Sequence, residues 1–397
     1  MGLGIWYCWS MKTEANEVRL GIIGMGNMGR NHASRVLEGQ VPGLALKAVC
    51  DREPEQLKAY ANLAGYTDPA ELIASGEVDA VLIATPHYDH TTLGIQALEA
   101  GLHTLVEKPI SVHKADAERL IAAHRDPDVV FAAMFNQRTD PSYQKLKELI
   151  DQGELGQIHR INWIITNWFR TEAYYASGGW RATWAGEGGG VLLNQCPHQL
   201  DLWQWLFGMP AKVRAFCQIG RFHEIEVEDD VTAYLEYENG TTGVFITTTG
   251  EAPGTNRLEI ACERGKVVLE NGRIEWHRNE VPVGDHSKTA KGGFARPGTW
   301  EINIPVNGSG EQHLGILKNF AAAIREKKDL LAPAAEGIRS VELANAMLQS
   351  SFEDRTVEIP LDGAAYEVLL KKKIENSTFV KKTRENTGAD DFEQSFS

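Results

Sequence analysis

The segment Val18-Arg-Leu-Gly-Ile-Ile23-Gly24-Met25-Gly26-Asn27-Met28-Gly29 runs a short apolar strand pattern straight into glycines spaced G-x-G-x-x-G. Each glycine has its own physical reason. The first permits a tight turn at the strand end, the second lets backbone approach a pyrophosphate, and the third lets the next helix pack close to the strand. A helix opening here offers free N–H groups and the positive end of its dipole to a phosphate. The arrangement then requires an acid at the end of the second strand to accept hydrogen bonds from a ribose, and Asp51 stands there, 22 residues beyond Gly29. Strand, spacing and acid together point to dinucleotide binding rather than to a plain glycine-rich turn. The Asp51 carboxylate favours NAD, because it repels a 2′-phosphate. Arg52 beside it keeps NADP open, since a guanidinium can take that phosphate or stack on adenine.

Working outward, strand and helix patterns alternate. Leu44–Cys50, Val78–Ala84, His103–Val106 and Val129–Met134 read as buried strands. Helical patterns at Met28–Glu38, Glu53–Ala64, His90–Ala100 and Lys114–His124 separate them. This alternation implies a parallel sheet covered on both faces, a Rossmann domain over residues 11–137. After Asn136 the pattern changes. A helix near Ser142–Asp151 precedes strand-like runs at Ile158–Asn167, Lys212–Ile219, Val231–Tyr237, Gly243–Thr249, Leu258–Cys262 and Lys266–Leu269. Asn239-Gly240 between two of them reads as a type I′ hairpin turn. Residues 138–375 are expected to form an α+β domain on a mostly antiparallel open sheet. Late helices fall near Gln312–Lys327 and Ala335–Phe352, after a surface loop from Gly284 to Gly298. Residues 1–10 and 376–397 read as tails, the second a flexible extension. Met11 is an alternative start.

Composition narrows the partners. The 397 residues carry 40 Lys+Arg against 54 Asp+Glu, a formal charge of −14. The acidity is spread evenly: residues 1–135 hold 11 basic and 17 acidic side chains, the remainder 29 and 37. No basic footprint for nucleic acid or an anionic membrane is expected. No apolar run reaches the roughly 18 residues that a membrane span requires. The N-terminal patch of Ile5, Trp6, Tyr7 and Trp9 lacks the basic flank of a secretory signal. Five widely spaced cysteines with no C-x-x-C pair point to reduced thiols in a cytoplasm.

Glu107-Lys108-Pro109 ends the strand at His103–Val106, at the sheet edge where such folds bind ligands. Pro109 biases Lys108 away from helix, so its ammonium can enter the crevice. Further on, Gly188-Gly-Gly-Val-Leu-Leu-Asn194-Gln-Cys-Pro197-His198-Gln-Leu-Asp201 leads into a helix with Leu202, Trp205 and Leu206 at helical spacing. Asn194, His198 and Asp201 can share one face there. Histidine is suited to accept a proton near neutral pH. Asn194 reads equally as a helix cap.

These motifs, in this order, resemble the glucose–fructose oxidoreductase / inositol dehydrogenase (Gfo/Idh/MocA) family over residues 18–375. The resemblance implies that Lys108 contacts nicotinamide ribose and substrate and assists proton transfer. It places Thr85, Pro86 and His90, with Glu107 and Asn136, beside the cofactor. His198 becomes the general base, although Asn194 stands where the family more often has aspartate. Asn194 can still position a sugar hydroxyl, and Asp201 can orient His198 or serve the helix N-terminus. Six of the ten tryptophans fall between Trp163 and Trp205. Most are expected in the core, since Trp203 and Trp205 cannot share one helix side. Trp180 and Arg181, just before the glycine run, are candidates for the substrate pocket, where aromatic walls suit sugar rings. Asn136-Gln-Arg138 is an interdomain hinge or a cofactor edge. His87-Tyr-Asp89-His90 superficially resembles a metal site, but no metal is assigned.

The expectation is an NAD(P)-dependent dehydrogenase acting on a secondary hydroxyl of a sugar, inositol or glycoside, as a dimer or tetramer. The alternatives are an enzyme that retains NAD and uses transient oxidation for glycoside cleavage or epimerisation, and a non-catalytic dinucleotide-binding regulator.

Overall fold

The computed structural model describes residues 17–383. Cys8, the aromatic N-terminal patch and the last 14 residues lie outside them. The first sheet contains β1 (Val18–Ile23), β2 (Leu44–Cys50), β3 (Ala64–Tyr66), β4 (Ala80–Ile83), β5 (His103–Val106) and β6 (Phe131–Ala133). Their order is β3-β2-β1-β4-β5-β6, with all neighbours parallel. Chain order reverses between β1 and β4, which opens a crevice at the strands' carboxyl ends. Helices α1 (Asn27–Leu37), α2 (Pro69–Ala74), α3 (His87–Glu99) and α4 (Lys114–Ala123) connect the strands. The helix expected over Glu53–Ala64 is instead a 3₁₀ segment, Pro54–Tyr60, followed by β3. That segment buries no residue, so nothing rewards extending it as an α-helix.

The second region supplies α5 (Pro141–Asp151), β7 (Ile158–Ile165), α6 (Glu172–Ala176), α7 (Pro197–Phe207), β8 (Lys212–Ile219), β9 (Glu228–Glu236), β10 (Thr242–Thr248), β11 (Asn256–Cys262), β12 (Gly265–Glu270) and β13 (Arg273–Asn279). It continues with α8 (Val283–Thr289), β14 (Thr299–Ile304), α9 (His313–Glu326), α10 (Ala334–Phe352), β15 (Val357–Glu358) and α11 (Gly363–Glu375). Nine strands form one sheet, ordered β14-β13-β12-β11-β7-β10-β9-β8-β15. Only β7 and β10 pair in parallel. Along β9, Val231, Ala233 and Leu235 are buried while Thr232, Tyr234 and Glu236 are exposed, so one face meets the core. On the covered face, Trp163 and Trp203 stack at 6.4 Å; Trp205 turns elsewhere, toward Arg138 and Lys147.

Several local expectations are revised. Gly240 has φ +85° but Asn239 does not take positive φ, so the β9–β10 turn is not type I′. The Asn239 carboxamide instead accepts from Thr241 N–H, a local side-chain turn. The region Gly284–Gly298 contains α8 and is not all loop. The chain also returns to the first domain after residue 137: Ile316, Leu317 and Phe320 of α9 join the first sheet's core. Ala332 accepts the Ala133 N–H, which covers the edge strand β6. Residues 377–382 are not a free extension. Ser377 bonds Glu226, Lys381 donates to the Tyr175 carbonyl, and Lys382 pairs with Glu224. The four described cysteines are free thiols.

Candidate active site

Gly24-Met-Gly26-Asn-Met-Gly29 turns from β1 into α1. A Cβ on Gly29 would lie 1.9 Å from the Gly24 carbonyl oxygen, so only glycine closes this turn. A Cβ on Gly26 would meet nothing within 4 Å, so space is open where a pyrophosphate is expected to approach. Gly26 is the N-cap of α1 and no side chain caps its first N–H groups. The Asp51 carboxylate accepts from Met25 N–H (2.7 Å) and Glu53 N–H (2.9 Å), which fixes it at the crevice. Arg52 is mostly exposed and turned to Asp89 at 3.0 Å. Asn27 and Met28 begin α1, where Asn27 accepts from Arg30. The buried Thr85 hydroxyl has no partner, nor has the Asn136 carboxamide oxygen; the Asn136 amide donates to Gln312. Uncapped helix, open glycine and orphaned Thr85 hydroxyl fit a dinucleotide. A test follows from the two glycines. Gly26→Ala should fold normally, because its φ is −68° and the space is free, yet weaken NAD binding by tenfold or more on the scale of about 1.4 kcal/mol. Gly29→Ala should destabilise the domain itself. Melting curves and NAD titration separate the two outcomes.

Pro86 precedes α3, and the histidines that follow it do structural work. Both ring nitrogens of His90 face carbonyls, Pro109 O at 2.7 Å and Thr85 O at 2.8 Å. His90 therefore ties the Thr85 turn to the Lys108–Pro109 turn and has no ring nitrogen left for a cofactor. His87 Nδ1 faces Glu187 O, and Asp89 holds Arg52, so the metal-like cluster points three ways. Glu107 is likewise engaged within the protein. Its carboxylate takes buried His32 at 2.8 Å and Lys108 N–H at 3.1 Å. Burial works against its charge, but His32 outweighs it and holds the carboxyl at about 2.

Lys108 crosses from one domain to the other. Its Nζ donates to the Asn194 carbonyl at 2.7 Å. Burial, and then Arg181 and Arg170, press its pKa below the usual lysine value against the pull of Glu107. Asn194 does not cap α7, which begins at Pro197 after Cys196. Its side chain instead accepts from the Tyr174 hydroxyl at 3.1 Å and donates to Glu187. Glu187 is buried, which pushes its carboxyl up. His198 is buried, and its Nδ1 has no partner. Burial and the Lys108 charge lower its pKa well below the ordinary value, so the imidazole stays neutral. Among the described residues Asp201 makes no hydrogen bond to His198. It is fully buried and grips Arg138 through two bonds of 2.6 and 2.7 Å. Arg138 also binds Glu336 at 2.6 Å, so this arginine forms a buried structural cluster. The glycine run closes against the chain itself: a Cβ on Gly190 would lie 2.0 Å from Glu228 O. Trp180 and Arg181 do meet this cluster. The Arg181 guanidinium lies 4.7 Å from the Trp180 ring and 4.6 Å from Tyr174, whose hydroxyl it also binds at 2.8 Å. Tyr174 and Glu187 were not anticipated as site residues. Glu187 borders the glycine run, and that position was its only sequence signal.

A dinucleotide turn facing a lysine and a neutral histidine defines an NAD-binding oxidoreductase of two domains. Residues 18–135 match the oxidoreductase family's NAD-binding Rossmann fold and residues 143–268 match the GFO/IDH/MocA C-terminal domain, together more than half of the chain. The chain belongs to the Gfo/Idh/MocA oxidoreductase family. It is similar to myo-inositol 2-dehydrogenase of Thermotoga maritima, 28% identical over 64% of this chain and 76% of the relative. It is also similar to levoglucosan dehydrogenase of Pseudarthrobacter phenanthrenivorans, 25% identical over 87% and 98%. Among solved structures, the WlbA dehydrogenase of Bordetella pertussis in complex with NADH and UDP-GlcNAcA superposes with a TM-score of 0.73 at 25% identity, covering 87% of this chain and all of that one.

Proposed function

We propose that this protein is an NAD-dependent dehydrogenase that oxidises a secondary hydroxyl of a sugar, inositol or glycoside. One observation carries the reading. Lys108 of the nucleotide domain reaches Asn194, four residues before a buried histidine whose Nδ1 has no partner. A bound nicotinamide supplies the acceptance of hydride from the carbinol carbon. His198 accepts the hydroxyl proton, Lys108 hydrogen-bonds the reacting oxygen, and Asn194 positions the substrate. Tyr174, Arg181 and Trp180, which cluster at Asn194, form the substrate side of the site. NAD is preferred over NADP, because Asp51 is fixed at the ribose position while Arg52 is held by Asp89. The names of the relatives, inositol and levoglucosan dehydrogenases, support a polyol substrate. Among the described residues no helix is long and apolar enough to cross a membrane. The exposed face of the nine-stranded sheet, with Phe216 and Tyr234 on its surface, suits a dimer or tetramer contact in a cytoplasmic enzyme.

The test is a spectrophotometric screen of inositols, aldoses and glycosides with NAD⁺ and NADP⁺ in parallel. The expected result is stoichiometric NADH from at least one secondary alcohol, with NAD⁺ preferred. NAD binding without turnover across the panel would instead support a regulator. Because the folded-state pKa of His198 is depressed, the base stays unprotonated as pH falls through its ordinary range near 6.5. The acid limb of kcat against pH should therefore lie below 6.5. A limb at or above that value would remove His198 from the role of base.

A further inference from the structure

The site holds more positive charge than hydride transfer requires. Two guanidinium groups lie against one ring: Arg170 and Arg181 are 5.2 and 4.6 Å from the Tyr174 centroid. The Tyr174 hydroxyl links Arg181 to Asn194, whose carbonyl receives Lys108. A fourth cation, Lys381, arrives from the segment after α11 and donates to the carbonyl of the next residue, Tyr175. In a chain with a net charge of −14, such a gathering ought to be matched by carboxylates. It is not. Among the described residues, the one ion pair made by any of the four is Arg181 with Glu187, at a long 3.9 Å. Glu187 is already engaged by the Ala182 N–H and by Asn194. Arg170 donates through Nη1 only to the Phe169 carbonyl, and its Nε is buried with no partner.

Packing on aromatic rings accounts for where the guanidinium groups lie, but not for the missing acceptors. A buried donor without a partner is costly, and more so when it is charged. That cost is recovered when a ligand supplies the acceptor. Lys381 is subject to the same field. Burial lowers its pKa, Glu187 pulls it back, and Arg181 lowers it again. Glu172 is the other carboxylate acting on it, and it accepts the Glu224 N–H.

We propose that the substrate of this site carries an anionic group, a carboxylate or a phosphate, and that Arg170, Arg181 and Lys381 receive it while Lys108 attends the reacting hydroxyl. This rests on the dehydrogenase reading above and narrows its substrate class to acidic polyols. It also gives the segment after α11 a function, because Lys381 is the one contributor from beyond the two family domains.

The experiment uses matched sets: a neutral sugar or inositol, its uronic or aldonic acid, and its monophosphate. Turnover with NAD⁺ is measured for each member, and binding is followed by the fluorescence of NADH held by the enzyme. The expected result is at least a tenfold higher kcat/KM for the anionic member, about the scale of one charge-assisted hydrogen bond. The ratio should shrink with added salt. Arg170→Gln and Lys381→Met should each lower the ratio of anionic to neutral turnover, with melting temperatures confirming that the variants fold. The acid and phosphate arms decide which oxyanion is meant. Neutral members turned over as well as, or better than, their anionic partners would overturn the inference and leave the dehydrogenase reading intact. Tighter, salt-sensitive binding of anionic members with no turnover anywhere would overturn the dehydrogenase reading and keep the charge assignment. Equal binding of neutral and anionic members would overturn the assignment.

Discussion

Lys108→Ala should retain NAD affinity within about threefold of the parent and lose roughly 10²–10⁴ in kcat, the span of a positioned acid–base group. The lysine stands at the carboxyl end of β5, where its ammonium reaches across to the Asn194 carbonyl. The nucleotide turn is built from other residues, Gly24 to Gly29 and Asp51, so its binding is not expected to depend on this side chain. Lys108→Arg should not restore the rate. Arginine keeps a charge there, but its planar fork cannot place a single donor on the reacting oxygen as the compact ammonium does. Pre-steady-state NADH formation and NAD titration measure the two effects separately. A variant that turns over normally would remove Lys108 from the chemistry and leave it a strap between domains.

The largest stability effect is expected at Arg138. Arg138→Met should destabilise the protein by about 3–5 kcal/mol, because it strands the Asp201 carboxylate without its counter-charge. Both side chains are 1% exposed and joined by two short bonds. Burial opposes the guanidinium charge, and Asp201 and Glu336 override it, so Arg138 stays ionised. The pair ties the 3₁₀ turn Asn136–Thr139 to α7, one turn after His198, and to α10. The double replacement Arg138→Met with Asp201→Leu should recover much of the loss, since it leaves no buried charge from that bidentate pair. Thermal melts of the two variants beside the parent check this. A single variant as stable as the parent would mean that the pair contributes nothing.

The sequence was most legible where burial on both faces leaves a continuous apolar run. Leu44–Cys50 and His103–Val106 were bounded to the residue, and the half-buried Lys212–Ile219 was too, although it buries only Val213 and Ala215. Legibility failed at edges. β13 (Arg-Ile-Glu-Trp-His-Arg-Asn) buries only Ile274 and Trp276, and β14 buries no residue fully, so neither presents an apolar block. α11 was missed because its apolar residues share the helix with three consecutive lysines, Lys371 to Lys373. At the site, the glycines and Asp51 were readable because their spacing alone implies the turn. Helical spacing shows that Asp201 shares a face with His198 but not which partner lies opposite, and the resemblance that places His90 beside the cofactor names no partner for its ring. That partner was Arg138, 63 residues away, for Asp201, and two backbone carbonyls for His90. Tyr174 and Glu187 carried no motif. Only the folded chain brings them to Asn194.

The most direct test of the account uses a substrate found in the screen, carrying deuterium on the carbinol carbon, with NAD⁺ and the full-length protein. The account predicts deuterium in the nicotinamide of the NADH released, one for each substrate molecule consumed. Consumption of the substrate with no labelled NADH released would contradict it, and would point instead to an enzyme that oxidises its substrate only in passing.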